Sequence, residues 1–162
     1  MPDFRSSRRV RHSAQQMYAL VADVEAYPQF VPLCVGTRVR KRTPIPNGEI
    51  IVAEMAVGYK AIREKFTSKV TCDGKARTIH VAYVDGPFRH LHNEWRFVDG
   101  PQPGGSTVEF YIDYEFRSRA LALVMGAVFD QAFRQFAAAF EKRADQLYGV
   151  NAPQTPPAPA PE

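Results

Sequence analysis

The sequence predicts an α+β fold in which a strongly curved antiparallel sheet of six to seven strands wraps a long C-terminal helix and encloses an apolar cavity. Three observations carry this. Between Cys34 and Arg117 apolar residues recur with period two, broken by turn signals such as Asn47-Gly48, Asp73-Gly74 and Asp85-Gly86-Pro87, as in an antiparallel meander. From Arg119 to Tyr148 the period changes to that of one long amphipathic helix. A strand and one short helix precede the meander, so the order is strand, helix, turn, meander, long helix. One helix leaves gaps over a sheet this wide unless the sheet curls around it, and the gap becomes a cavity.

At 162 residues, 45% hydrophobic and 23% charged, the chain has the size and composition of one soluble domain able to build a core without disulfides. The domain is expected over 1–150, and 151–162 is expected to be a disordered Pro/Ala-rich tail, because repeated proline favours solvated, extended chain. No run of about 20 apolar residues occurs and no signal segment is visible, so a cytoplasmic protein is expected, peripheral at the cytoplasmic face of a membrane. Cys34 and Cys72 lack metal-binding or redox spacing and read as free thiols.

Ser13 with Gln16 three residues on forms a capping box before Met17, Leu20, Val21 and Val24, which predicts a first helix over Ala14 to Val24. Pro28 and Pro32 bracket a short helical turn that presents Phe30 and Val31 as an apolar knob. On the strand around 62–70, alternation places Glu64 with Ile62, Phe66 and Val70. Two readings stay open: an inward carboxylate that pairs with an Arg or Tyr or stays protonated beside a ligand, or a one-residue bulge that returns Glu64 to solvent. The cleanest strand is Ser106 to Arg117, with Val108, Phe110, Ile112, Tyr114 and Phe116 on one face. On the final helix Leu121, Val124, Met125, Val128, Phe129, Phe133, Phe136 and Phe140 share a stripe, and Leu121 to Phe129 carries no charge on any side. With Phe30 and Val31 that stretch is a candidate mouth.

The inward aromatics Tyr59, Phe66, Trp95, Phe97, Phe110 and Tyr114, with Met55, Ile62 and Ile112, suit either a solid core or the lining of a site for a large apolar ligand. Catalytic patterns are weak: there is no GxSxG and no glycine-rich phosphate loop. His90-x-His92 places two imidazoles on one side of a strand without an evident third ligand, so no metal is expected. The sequence reads as a binding protein, not an enzyme, and no cofactor is required. The formal charge of +4 includes Arg9, Arg11, Arg38 and Arg40 on the first two strands. They read as a blunted sheet edge or as a docking face for an anionic membrane or for RNA; no DNA contact is expected.

The segments Tyr27-Pro28-Gln29-Phe30-Val31-Pro32-Leu33-Cys34, Val84-Asp85-Gly86-Pro87-Phe88, Trp95-Arg96-Phe97, Tyr114-Glu115-Phe116-Arg117-Ser118 and Ala138-Ala139-Phe140-Glu141-Lys142-Arg143-Ala144 resemble the coenzyme Q-binding START-domain family of the SRPBCC, polyketide cyclase-like superfamily, over almost the whole folded part. The resemblance implies the helix-grip fold and an internal cavity for ubiquinone or a related polyprenyl lipid, supporting respiratory electron transport without turnover. It favours cavity lining for Phe66, Trp95, Phe110, Val124, Val128 and Phe129, with Tyr59, Tyr114, Trp95 and Glu64 as candidate donors to a quinone carbonyl. The same family includes ribosome-association toxins, for which the basic strands would face RNA and the large subunit. Similar domains include polyketide cyclases and dehydratases, a third reading.

Overall fold

The computed structural model describes residues 3–149; the expected tail at 151–162 lies outside them. Strand β1 (Asp3–Val10) leads into α1 (Ala14–Ala22) and a 3₁₀ turn (Val24–Gln29). Six strands follow: β2 (Cys34–Ile45), β3 (Gly48–Tyr59), β4 (Ile62–Asp73), β5 (Thr78–Asp85), β6 (Phe88–Asp99) and β7 (Ser106–Phe116). The last element is α2 (Arg119–Tyr148). The sheet runs β1-β7-β6-β5-β4-β3-β2 with antiparallel neighbours, a meander closed by the first strand pairing with the last.

Local chemistry explains the boundaries. The capping box forms: Gln16 N–H donates to Ser13 Oγ at 3.1 Å, and Ser13 N–H donates to Gln16 Oε1 at 2.9 Å. The α-helix stops at Ala22, short of the expected Val24, and continues as the 3₁₀ turn. Pro28 within that turn has no N–H to return to Val24. Bulges in β2 (Cys34/Gly36 and Val39/Lys41), between β4 and β5 (Thr67/Ser68) and between β6 and β7 (Phe88/His90) bend the strands and curl the sheet. Gly86 adopts φ +146, and a Cβ there would stand 2.5 Å from that of Phe66, so only glycine lets the β5–β6 turn close against this inward aromatic.

The concave face meets α2 through a network of ring contacts: Phe88 and Phe116 against Phe129, Trp95 against Phe140, and Tyr114 against Phe133. Polar ties hold the C-terminal half of α2. Arg8 donates to Glu141 at 2.6 Å, buried His12 Nε2 to Asp145 at 2.6 Å, and Arg143 to Gln29 at 2.6 Å. Among the described residues no side-chain hydrogen bond or ion pair is seen to tie 119–133 to the sheet; that half rests on apolar contact through Met125, Phe129 and Phe133.

The single basic face expected from the first two strands does not form. Strands β1 and β2 are opposite edges of the sheet, so five strands lie between Arg9, with Arg11 just beyond the end of β1, and Arg38 and Arg40. Arg40 also donates to Glu54 at 2.9 Å.

Candidate functional site

Between the concave face and α2 lies a mostly enclosed cavity of about 90 Å³. Met55, Phe66, Trp95, Ile112, Phe129 and Phe133 line it as expected. Phe136, an inward aromatic of the helix stripe, joins them; sequence reasoning missed Ser68, Asn93, Leu91, Val70, Ala132 and Phe140 in the same wall. The signal for Ser68 was the alternation that nominated Glu64 and Phe66, because Ser68 is the next residue but one on β4.

Several expected lining residues are core. Phe97 stacks behind Trp95 at 9° between planes and is 3% exposed. Phe110 meets the Trp95 ring edge at 4.6 Å, and Tyr114 packs on Phe133 at 5.0 Å. Phe30 and Val31 form no surface knob: Val31 is buried, and Phe30 packs edge-on against Phe140 at 5.0 Å with the Arg143 guanidinium over it. They buttress the wall of the cavity instead of forming its mouth.

The stripe on α2 is narrower than the pattern implied. With Met125 as origin and about 100° per residue, Phe129 falls near +40° and Phe140 near +60°, whereas Val128 falls near −60° and Val124 near −100°. Val124 is accordingly 60% exposed, and Leu123 87%. Val128 lines an open depression with Pro32, Leu33 and Tyr59 on the far flank of the helix. Neither reaches the cavity.

Glu64 lies on the inward side without a bulge in the β3–β4 pairing, where it faces Val57 across the strands. Its side chain borders a separate narrow cleft with Tyr59, Ile62, Leu121, Met125 and Phe129, at the strand ends beneath the start of α2. It remains half-exposed, and none of the described hydrogen bonds or ion pairs uses it. Phe129 and Val57 border both cleft and cavity, Phe129 from the helix and Val57 from the sheet.

The cavity holds few polar groups. The indole N–H of Trp95 donates to Asn93 Oδ1 at 3.0 Å, and Asn93 Nδ2 donates to the Tyr111 carbonyl at 2.9 Å, so both are committed. The Tyr27 hydroxyl donates to the Val21 carbonyl, and burial raises its pKa. Burial likewise holds the Tyr114 phenol up at about 12. Ser68 differs: its hydroxyl is buried in the cavity wall and has no hydrogen-bond partner. A buried polar atom left unpaired costs stability. Glu54 is the one acidic residue in the described wall, but it alternates with inward Met55 on β3 and turns its carboxylate to the outer face, where Arg40, with the charges of Lys65 and Arg38, holds its pKa below the usual range.

A curved antiparallel sheet gripping a long helix around a largely apolar cavity defines a helix-grip domain of the START type. Residues 10–141 match the family described as polyketide cyclase / dehydrase and lipid transport, and the chain belongs to that family. Its relatives include the ribosome association toxin RatA of Escherichia coli K12, 35% identical over 150 residues, spanning 93% of this chain and 91% of the toxin. The coenzyme Q-binding protein COQ10 homolog B of Xenopus laevis is 31% identical, over 91% of this chain and 59% of the frog protein. Among solved structures, the 18 kDa protein CC1736 of Caulobacter crescentus is 37% identical with a TM-score of 0.73, over 92% of this chain and 99% of that one.

Proposed function

We propose that this protein binds a quinone or related polyprenyl lipid in the cavity and carries or presents it in support of respiratory electron transport, without transforming it. The observation that carries this reading is the orphaned Ser68 hydroxyl in an otherwise apolar, enclosed space. A quinone carbonyl accepts one hydrogen bond and its tail asks only for apolar surface. Relatives named as coenzyme Q-binding proteins support it. The described lining lacks a paired acid and base, which supports binding over turnover.

Size adds a requirement. The cavity of about 90 Å³ is smaller than the roughly 150 Å³ that admits benzene, so a substituted ring with a tail enters only if a wall moves. The N-terminal half of α2 is the wall without described polar ties to the sheet, and Phe129 stands on it. Gly126 interrupts that half, and a Cβ there would meet nothing within 4 Å. The natural route is a swing of this half that joins cleft and cavity.

The test is solvent extraction of the protein purified from its own source, with mass spectrometry and a redox difference spectrum of the extract. A stoichiometric quinone supports the reading. An extract without lipid, from a protein that also fails to bind a short-chain ubiquinone, overturns it.

A second reading, association with ribosomal RNA, has its own observation. The outer face of β2 to β4 exposes Arg38, Lys41, Lys65 and Lys69, and Arg40 neutralises the Glu54 carboxylate among them. Relatives named as ribosome association toxins support it. Pelleting with ribosomal subunits that weakens steeply with salt, and is lost in Lys65→Glu with Lys69→Glu, is its signature.

A further inference from the structure

The convex face of the sheet carries a cluster that the cavity does not explain. Antiparallel register sets Arg5, Tyr111, Glu94 and His80 in one row across β1, β7, β6 and β5. His92 stands two residues before Glu94 on β6 and projects from the same side. One ligand atom from each of His80, His92 and Glu94 comes within 4.8 Å of the others. We propose that these three side chains form a binding site for a divalent transition-metal ion of the zinc type, with the remaining coordination left to water.

The chemistry of the donors selects the ion. Two imidazoles and one carboxylate suit zinc, cobalt, nickel or copper, whereas calcium and magnesium ask for oxygen ligands alone. The distances are near those required. With metal–ligand bonds of about 2.1 Å, tetrahedral ligand atoms lie roughly 3.4 Å apart. His92 Nε2 is 2.5 Å from Glu94 Oε2, and His80 Nδ1 is 3.9 Å from the same oxygen. Side-chain rotation of under about 1 Å at each atom closes the gap between these spacings and the tetrahedral one. Without metal, His92 Nε2–H donates to Glu94; an ion at Nε2 takes the place of that proton, which moves to Nδ1 when the ring is neutral and is released to water when the ring carries both protons.

The scaffold is rigid where it matters. Paired strands fix all three backbone positions, with Glu94 directly opposite His80. The side chains are 43–50% exposed, so an ion enters without opening the fold. His90, which shares the His-x-His spacing, belongs elsewhere: its Nε2 lies 3.0 Å from Asp113 Oδ1. The structure thus does not complete the His90–His92 pair that the sequence offered; it joins His92 to Glu94 on the same strand and to His80 on the adjacent one.

The test is titration of the full, metal-free chain with Zn²⁺ against a chromogenic chelator, together with the visible spectrum of the Co²⁺ form. One ion per chain is expected, with the intense cobalt bands of low coordination number. His80→Ala and His92→Ala should each weaken binding by at least about tenfold, while His90→Ala leaves it unchanged. All three positions are on the surface of the sheet, and matching circular dichroism and melting curves verify that the variants fold. Absence of Zn²⁺ binding by the parent chain overturns the site. So does binding that survives His80→Ala, or that falls equally with His90→Ala.

Discussion

Replacing Ser68 by alanine should move stability and ligand affinity in opposite directions. In the empty protein the Ser68 hydroxyl is 6% exposed at the residue level and makes no hydrogen bond. A buried unsatisfied hydroxyl costs about 1–3 kcal/mol, so its removal returns that amount less the dispersion lost with one oxygen. A net stabilisation of about 1 kcal/mol raises the melting temperature of a domain this size by about 2–4 °C. On the proposed reading, the same hydroxyl donates to the quinone carbonyl in the complex. Losing that bond costs about 0.5–1.5 kcal/mol, or roughly 2- to 12-fold in Kd. The assay is internal to the protein, because its single tryptophan, Trp95, lines the cavity and its emission reports occupancy. Thermal melts of empty Ser68→Ala are compared with the parent chain, and short-chain ubiquinone is titrated against Trp95 emission. A lower melting temperature with unchanged affinity would refute the assignment, because it would show a hydroxyl satisfied at rest and unused by the ligand.

Three other outcomes follow from the same geometry. Gly126→Ala meets no steric obstacle and should stabilise α2 by about 0.5–1 kcal/mol; if this segment is the moving wall, the variant also slows quinone uptake in stopped-flow measurements. Burial pushes both the Cys34 and Cys72 thiols up to about 11, so alkylation of the native chain at neutral pH should be far slower than in denaturant. Unfolded thiols ionise first, near 8.5, so their contribution to stability is complete below that pH and is lost as pH rises through about 11, which denaturant melts from pH 7 to 11 will show. Asp99 accepts from the Ala14 N–H at the start of α1 and from Arg77, and these bonds hold its pKa below the usual value. Its contribution is therefore present above about pH 4 and lost as pH falls through the lowered value; Asp99→Ala should cost about 1 kcal/mol at pH 7 and progressively less as pH falls below about 4, by urea melts across that range.

What the sequence determined by itself was what a few consecutive residues can encode. The capping box at Ser13 and Gln16, the span of α2 from Arg119 to Tyr148 and the inward set of β7 from Val108 to Phe116 all emerge as read, because backbone geometry alone sets a period of two or 3.6. The width of the sheet against a single helix already implied a cavity and family motifs favoured it over a solid core, although not all of the residues that line it. Those were decided by contacts between residues far apart in the chain. The rotation of α2 on the sheet, set by Phe129, Phe133 and Phe140 against aromatic partners on β6 and β7, turned Val124 to solvent and Val128 to the flank. Pairing of β1 with β7 separated two basic strands that are near neighbours in sequence, and β5–β6 register brought His80 to Glu94 beside His92. Periodicity specifies which side of an element is apolar, but its angular offset and the neighbour it meets depend on pairing energies summed over the whole sheet and its packed helix.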